Sequence, residues 1–133
     1  MRSMHADPAQ VWLRDAQGDL ALARVKKTRA IRYAHLCFHA QQAAEKSLKA
    51  VYLALDTDLP RTHDLAFLID NLPKRLPMSP TFLVLPTLTK YAVQFRYPGQ
   101  DIPVTRRDWL TAVDLATEIY HWAQAQVDGI RKA

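Results

Sequence analysis

The sequence predicts an all-α protein, an antiparallel up-and-down helical bundle of four main helices plus a short one. Three observations carry this. Apolar residues recur at helical spacing through most of the 133 residues. Only 3 glycines interrupt them, and the β-branched alternation of a half-buried strand is absent. Connections between the long periodic stretches are short, which favours antiparallel neighbours. No repeat or low-complexity tract divides the chain, so residues 1–133 read as a single domain.

A first helix is expected from about Pro8 to Lys27. Asp7 can cap it, and Pro8 suits a first turn, where a missing N–H costs nothing. Trp12, Ala16, Leu20 and Ala23 share one side with Asp19 beside them. Lys26, Lys27 and Arg29 favour the negative C-terminal end. A second helix, from about Ile31 to Leu55, carries two stripes. Ala34, Cys37, Phe38, Gln41, Ala44, Leu48, Val51, Tyr52 and Leu55 form an apolar one. Arg32, His35, His39, Gln42, Lys46 and Lys49 form a basic one nearly opposite, which reads as a face off the core. Asp56 to Arg61 is a turn with Pro60 as breaker.

Thr62 can cap a short third helix, His63 to Leu72, burying Leu65, Leu68, Ile69 and Leu72. Pro73, Pro77 and Pro80 mark a connector. A fourth helix, split at Pro86, presents Leu83, Leu88, Tyr91, Ala92 and Phe95 to the core. Arg96-Tyr97-Pro98-Gly99 leaves the helix, because Pro98 disfavours α geometry at Tyr97. Thr105 with Asp108 reads as a capping-box variant for the last helix. That helix buries Trp109, Ala112, Val113, Ala116, Ile119, Ala123, Val127 and Ile130.

Composition bounds the function. At 49% apolar and 23% charged residues the chain is an ordinary globular one, not disordered or fibrous. One Cys makes no intramolecular disulfide and no four-ligand zinc site, which points to a reducing, cytoplasmic location. No apolar run is long enough to span a membrane, and Met1 to Gln10 lacks the apolar core of a signal peptide. The net charge of +5 tilts the chain toward polyanions or an acidic partner.

The densest polar stretch is Gln41 to Ala50. Glu45 and Lys49 are an i,i+4 pair in the favoured orientation, worth roughly 0.3–0.5 kcal/mol. Gln41 falls inside the apolar stripe, which predicts a buried amide hydrogen-bonded at both ends. Gln42, Lys46 and Lys49 lie on the basic stripe, where lysines either hold phosphate as point charges or are simply solvated. His35 and His39 have the spacing of two metal ligands on one helix, but no third ligand accompanies them, so no metal is expected. His63 and Asp64 read as helix initiation or as polar groups of a ligand site. Arg96, Tyr97 and Pro98 join a planar cation, a ring and a rigid bend, which suits a phosphate or a stacked base, or else caps the bundle. Arg106 and Arg107 follow, and His121 has no evident partner. Ser-His-Asp order, a phosphate-binding Gly loop, paired cysteines and HExxH are absent, so no catalytic residue and no cofactor is assigned.

In this order, Trp12, Ala16, Asp19-Leu20, Ala23, Tyr33-Ala34, the run FHAQQAAEKSLKA from Phe38 to Ala50, Arg61-Thr62-His63-Asp64-Leu65, Tyr91 and Arg96-Tyr97-Pro98-Gly99 resemble a HEPN domain. The resemblance covers most of the chain and identifies the branch with an RYP element. It implies an antiparallel helical bundle that forms homodimers. It also implies pairing with a minimal nucleotidyltransferase, in some cases as a toxin–antitoxin module. Many members are metal-independent ribonucleases, marked by Arg, four to six residues, then His in the C-terminal half. Here no such pair follows Arg61; Arg29 with His35 and Arg32 with His39 match only around the start of the second helix.

Three readings follow. The first is a non-catalytic module that dimerises and binds a nucleotide, RNA or a nucleotidyltransferase through Arg96, Tyr97, Lys46, Lys49, Gln42, His63 and Asp64. The second is a ribonuclease toxin with an atypical site, pairing Arg96 with His63 or Arg32 with His39. The third is a purely structural helical adaptor.

Overall fold

The computed structural model describes residues 7–96 and 103–132, with residues 94–96 described by backbone alone. The chain is all-helical; the described residues include no strand. Six α-helices follow in order: α1 Pro8–Ala23, α2 Tyr33–Ala54, α3 Leu65–Asp70, α4 Thr81–Val84, α5 Thr89–Arg96 and α6 Arg106–Lys132. A 3-10 turn, Leu85–Leu88, joins α4 to α5. Four helices have eight residues or more, namely α1, α2, α5 and α6.

α2 is the hub. It packs along α1 on one side and α6 on the other, and touches α5 and α3. Of its 22 residues, 14 are buried, so it has no broad solvated face. Small residues allow the close approach: Ala9, Ala16 and Ala23 on α1 meet a core that includes Ala40, Ala43, Ala44 and Ala50 on α2. α6 contributes Ala112, Ala116, Ile119, Ala123 and Val127.

The caps follow local chemistry. Asp7 accepts from the Ala9 N–H at 3.0 Å and Pro8 opens α1. Thr105 and Asp108 form the expected reciprocal box at the start of α6. Thr105 Oγ1 accepts from the Asp108 N–H at 3.1 Å, and Asp108 Oδ2 accepts from the Thr105 N–H at 2.9 Å. α2 ends in a Schellman arrangement. The Asp56 N–H reaches the Leu53 carbonyl at 3.1 Å and the Thr57 N–H the Tyr52 carbonyl at 3.1 Å. Asp56 takes the left-handed position at φ 60°, which Asp tolerates better than most residues.

The structure corrects several sequence expectations. α1 stops at Ala23 rather than near Lys27, because beyond Ala23 no residue through Ala30 is buried and a helical turn there would have nothing to pack against. The Trp109 indole N–H instead terminates α1, donating to the Ala23 carbonyl at 2.7 Å. α3 begins at Leu65, with Asp64 rather than Thr62 as its cap; Asp64 Oδ1 accepts from the Ala66 N–H at 3.0 Å. Leu83 is 85% exposed, and Phe82 and Leu85 take the core positions. The Phe82 ring lies edge-on to Trp122 at 4.8 Å, which sets the phase of α4. Trp12, Phe38, Ile69, Trp109 and Val113 are half-buried rather than fully so. The two indoles whose N–H groups are placed, Trp109 and Trp122, sit where those groups reach carbonyls. The Phe95 side chain lies outside the described residues.

Candidate functional site

The polar stripe of α2 is turned inward onto α1 and onto the segment 59–64, and its lysines are neutralised there. Lys49 is 7% exposed, so it does not stand off the core as its spacing predicts. Two carboxylates account for this. Each anchors its own network.

The first network centres on Glu45, which is 3% exposed. Its Oε1 accepts from Gln41 Nε2 at 3.1 Å and from His63 Nδ1 at 2.9 Å; its Oε2 accepts from Lys49 Nζ at 3.0 Å. Gln41 is fully buried, as its place in the apolar stripe predicts, and both ends of its amide are used. Gln41 Nε2 also approaches the His63 carbonyl at 3.4 Å, and Gln41 Oε1 accepts from Gln42 Nε2 at 2.6 Å. Burial alone would raise the Glu45 pKa. The hydrogen bonds from Gln41, Lys49 and His63 outweigh it and hold the carboxyl below its ordinary range. Glu45 is therefore ionised, and an ionised carboxylate only accepts, so His63 Nδ1 carries the proton.

The second network centres on Asp19, 8% exposed on α1. It accepts from His39 Nδ1 at 3.0 Å and from Lys46 Nζ at 2.7 Å, while Lys46 also reaches Asp15 at 2.6 Å. Desolvation would lower the Lys46 pKa; the bonds it donates to Asp15 and Asp19 prevail and raise it. His35 serves the helix start, its Nδ1 accepting from the Arg32 N–H at 3.0 Å. Among the described residues no group of three side chains could hold a metal ion.

A cleft of about 540 Å³ opens beside the Glu45 network, lined by Trp12, Lys49, Leu59, Pro60, Arg61, Thr62 and His63. Lys49 Nζ lies 5.9 Å from the centre of the Trp12 ring. Trp12 also borders a second cleft of about 280 Å³, with Val11, Arg14, Asp15 and Lys46. The half-buried indole is thus a wall shared by both.

Of the residues singled out in the sequence, Lys49 and His63 meet in the larger cleft and Lys46 lines the smaller one. Gln42 supports Gln41, and Asp64 caps α3. The Arg96 side chain and Tyr97 lie outside the described residues. Trp12 and Arg61 are the additions. Trp12 read as a core residue because its spacing matches the apolar side of α1, and Arg61 read as part of a turn. The signal for each was its place among the segments that carry the family resemblance.

The chain matches the family model of the HEPN domain over residues 9–126. It is similar to the crystal structure of TT1696 from Thermus thermophilus, with 31% identity over 90% of this chain and 92% of that one, at a TM-score of 0.64. It is also similar to the crystal structure of ST0689, an archaeal HEPN homologue. That match has 26% identity over 92% of this chain and 99% of the other, at a TM-score of 0.72. No protein of curated function matches it.

Proposed function

Because the chain belongs to the HEPN domain family, we propose that it is a non-catalytic, nucleotide-binding helical module that works as a homodimer alongside a minimal nucleotidyltransferase. The observation that carries this reading is the cleft between Trp12 and the segment 59–63. Its volume of about 540 Å³ falls within the roughly 300–1,000 Å³ range of small-molecule sites. Trp12 offers a π-face for a base, and stacking of this kind contributes about 1–3 kcal/mol. Arg61 is exposed at the rim with a planar fork suited to phosphate. Lys49 adds little net field, since Glu45 balances it. The cleft therefore fits a mononucleotide better than a triphosphate.

The test is titration of adenosine monophosphate followed by tryptophan fluorescence and calorimetry. Trp12→Leu and Arg61→Ala are each expected to weaken binding about tenfold. Wild-type affinity in both variants would refute the cleft as the site. Sedimentation and co-purification with a co-expressed nucleotidyltransferase test the dimer and the partner.

His39 favours a second reading, an RNA-cleaving one. Its Nδ1 is anchored on Asp19 at 3.0 Å, the arrangement that orients a general base. RNA cleavage that vanishes in His39→Ala would replace the first reading by this one.

A further inference from the structure

Leu22 and Val25 stand one turn apart near the end of α1, and both are exposed, at 48% and 39%. Single exposed aliphatic side chains are ordinary. These two are not single. With Ala30 and Ile31 from the α1–α2 connection and Leu36 from α2 they line one cleft of about 310 Å³. It shares no residue with the cleft at Trp12 and the segment 59–63, or with the smaller one beside Lys46.

Local bonds fix the shape of this cleft. Thr28 closes the connection on itself. Its Oγ1 accepts from the Ile31 N–H at 3.0 Å, and its N–H donates to the Ile31 carbonyl at 3.1 Å. Trp109 pins both ends of the connection. Its indole N–H donates to the Ala23 carbonyl at 2.7 Å, and its ring stacks on Tyr33 with centres 5.5 Å apart. A pocket shaped before binding loses little ordering entropy when it is filled.

The polar members of the cleft are His35 and His39. His35 Nδ1 is engaged at the helix start by the Arg32 N–H. His39 is oriented by α1. Its Nδ1 lies 3.0 Å from Asp19, which is ion-paired to Lys46 at 2.7 Å. An ionised carboxylate only accepts, so Nδ1 carries the proton, and Nε2 of the neutral ring is an acceptor. The Asp19 side chain is 10% exposed and that of His39 31%. The Nδ1 edge of the ring therefore faces α1, and the opposite edge, with Nε2, borders the cleft. Cations mark the other end. Lys26, Lys27 and Arg29 are exposed on the connection, and no Asp or Glu occurs from Leu22 through Leu36. His39 lies about 9 Å along α2 from its first residue, Tyr33, by the 1.5 Å rise per residue.

We propose that this cleft binds a small hydroxy acid with an apolar body. The body lies on Leu22, Val25, Ile31 and Leu36, the hydroxyl donates to His39 Nε2, and the carboxylate faces the cations of the connection. The volume is at the lower edge of the roughly 300–1,000 Å³ of small-molecule sites, which are mostly apolar with a few placed polar groups. That favours a compact molecule over a peptide chain. A nucleotide fits poorly, because a ligand polar along its length would leave the aliphatic walls without apolar contact. The proposal does not depend on a nucleotide binding beside Trp12.

The test uses the full chain and calorimetric titration of 4-hydroxycinnamate, a rigid member of this class. Cinnamate lacks the hydroxyl, and 4-hydroxycinnamyl alcohol lacks the carboxylate. Cinnamate is expected to bind about tenfold more weakly, the loss of one well-made hydrogen bond. The alcohol is expected to bind about threefold more weakly at low salt and no more weakly at high salt, where the exposed cations are screened. In His39→Phe, 4-hydroxycinnamate and cinnamate should bind equally, a change that mere loosening of the fold would not produce. Leu22→Glu should abolish binding of all three probes. Leu22 is half exposed, so an unchanged melting temperature is expected, and adenosine monophosphate binding should persist, which separates this cleft from the one at Trp12. A dissociation constant for 4-hydroxycinnamate weaker than about 1 mM would overturn the proposal. Equal affinity for cinnamate and 4-hydroxycinnamate in the wild type, or wild-type affinity in Leu22→Glu, would also overturn it. So would binding to anionic lipid vesicles that Leu22→Glu abolishes and 4-hydroxycinnamate does not displace, which would assign the apolar walls to a membrane surface.

Discussion

Two groups of cations lie in different parts of the bundle, and they are built in opposite ways. Around Glu45 and Asp19, in the middle of α1 and α2, each lysine is drawn inward onto a carboxylate: Lys49 onto Glu45, and Lys46 onto Asp19 and Asp15. At the α1–α2 connection and the start of α6, Arg24, Lys26, Lys27, Arg29, Arg106 and Arg107 are instead exposed to solvent. Burial decides the difference. An unpaired charge in the interior costs several kcal/mol, so every internal cation here comes with its acid. An exposed cation stays hydrated and costs little, so the exposed ones need no buried acid and their field extends outward. The charges that look most functional in the sequence are thus largely consumed by the structure. The charges that look like a connecting loop set the external field.

The largest expected effect belongs to the interior group. Glu45→Ala would leave Lys49 buried without its acid and remove the acceptor of Gln41 and His63. A loss of about 3–5 kcal/mol in urea unfolding is expected. A loss below about 1 kcal/mol would mean that Glu45 is hydrated in solution and would erase the contrast between the two groups.

Acidification comes next. The Glu45 carboxyl is held below its ordinary value of 4.5 in the folded chain. The unfolded chain therefore takes up this proton first. The stability from Glu45 is fully present above about 4.5 and is lost as pH falls through the lower, folded value. Urea midpoints measured from pH 7 to pH 3 should show this decline, and Glu45→Gln should flatten it. An equal slope in Glu45→Gln would assign the acid sensitivity to other carboxylates such as Asp7 and Asp108.

The smallest effect is expected at the exposed end. Lys26→Ala and Arg29→Ala should each change stability by less than about 0.5 kcal/mol. A larger loss would show these side chains to be fixed in the fold, and the two groups to be less different than the structure makes them.

Much of the architecture was legible from the residues. The helix order, the Asp7 cap, the Thr105–Asp108 box and the buried amide of Gln41 all follow from periodicity and capping, which are local. The inward turn of Lys46 was not legible, because it depends on Asp15 and Asp19, about thirty residues earlier in the chain. Spacing within α2 shows that Lys46 and Lys49 share a face; it does not show that α1 covers that face. Trp12 illustrates the same limit. Its phase on α1 marks it as apolar, but only packing leaves its ring half-buried between two clefts. Lys26, Lys27 and Arg29 were visible as a cluster, yet they read as complements to a helix C-terminus that in fact stops at Ala23.

Arg131 has a wider consequence. Its guanidinium grips Asp7 with two bonds, at 2.9 and 2.7 Å, and reaches the Ala54 carbonyl at 3.3 Å. The start of α1, the end of α2 and the end of α6 therefore meet at one side chain. Positions 7 and 131 are neighbours in space although almost the whole chain separates them. A short peptide joining them would add little closure entropy, and the proline-marked connector at 73–80 offers an exposed place to open the chain instead. The bundle is thus close to a ring of helices, in which the point where the polypeptide is cut matters less than which helices touch.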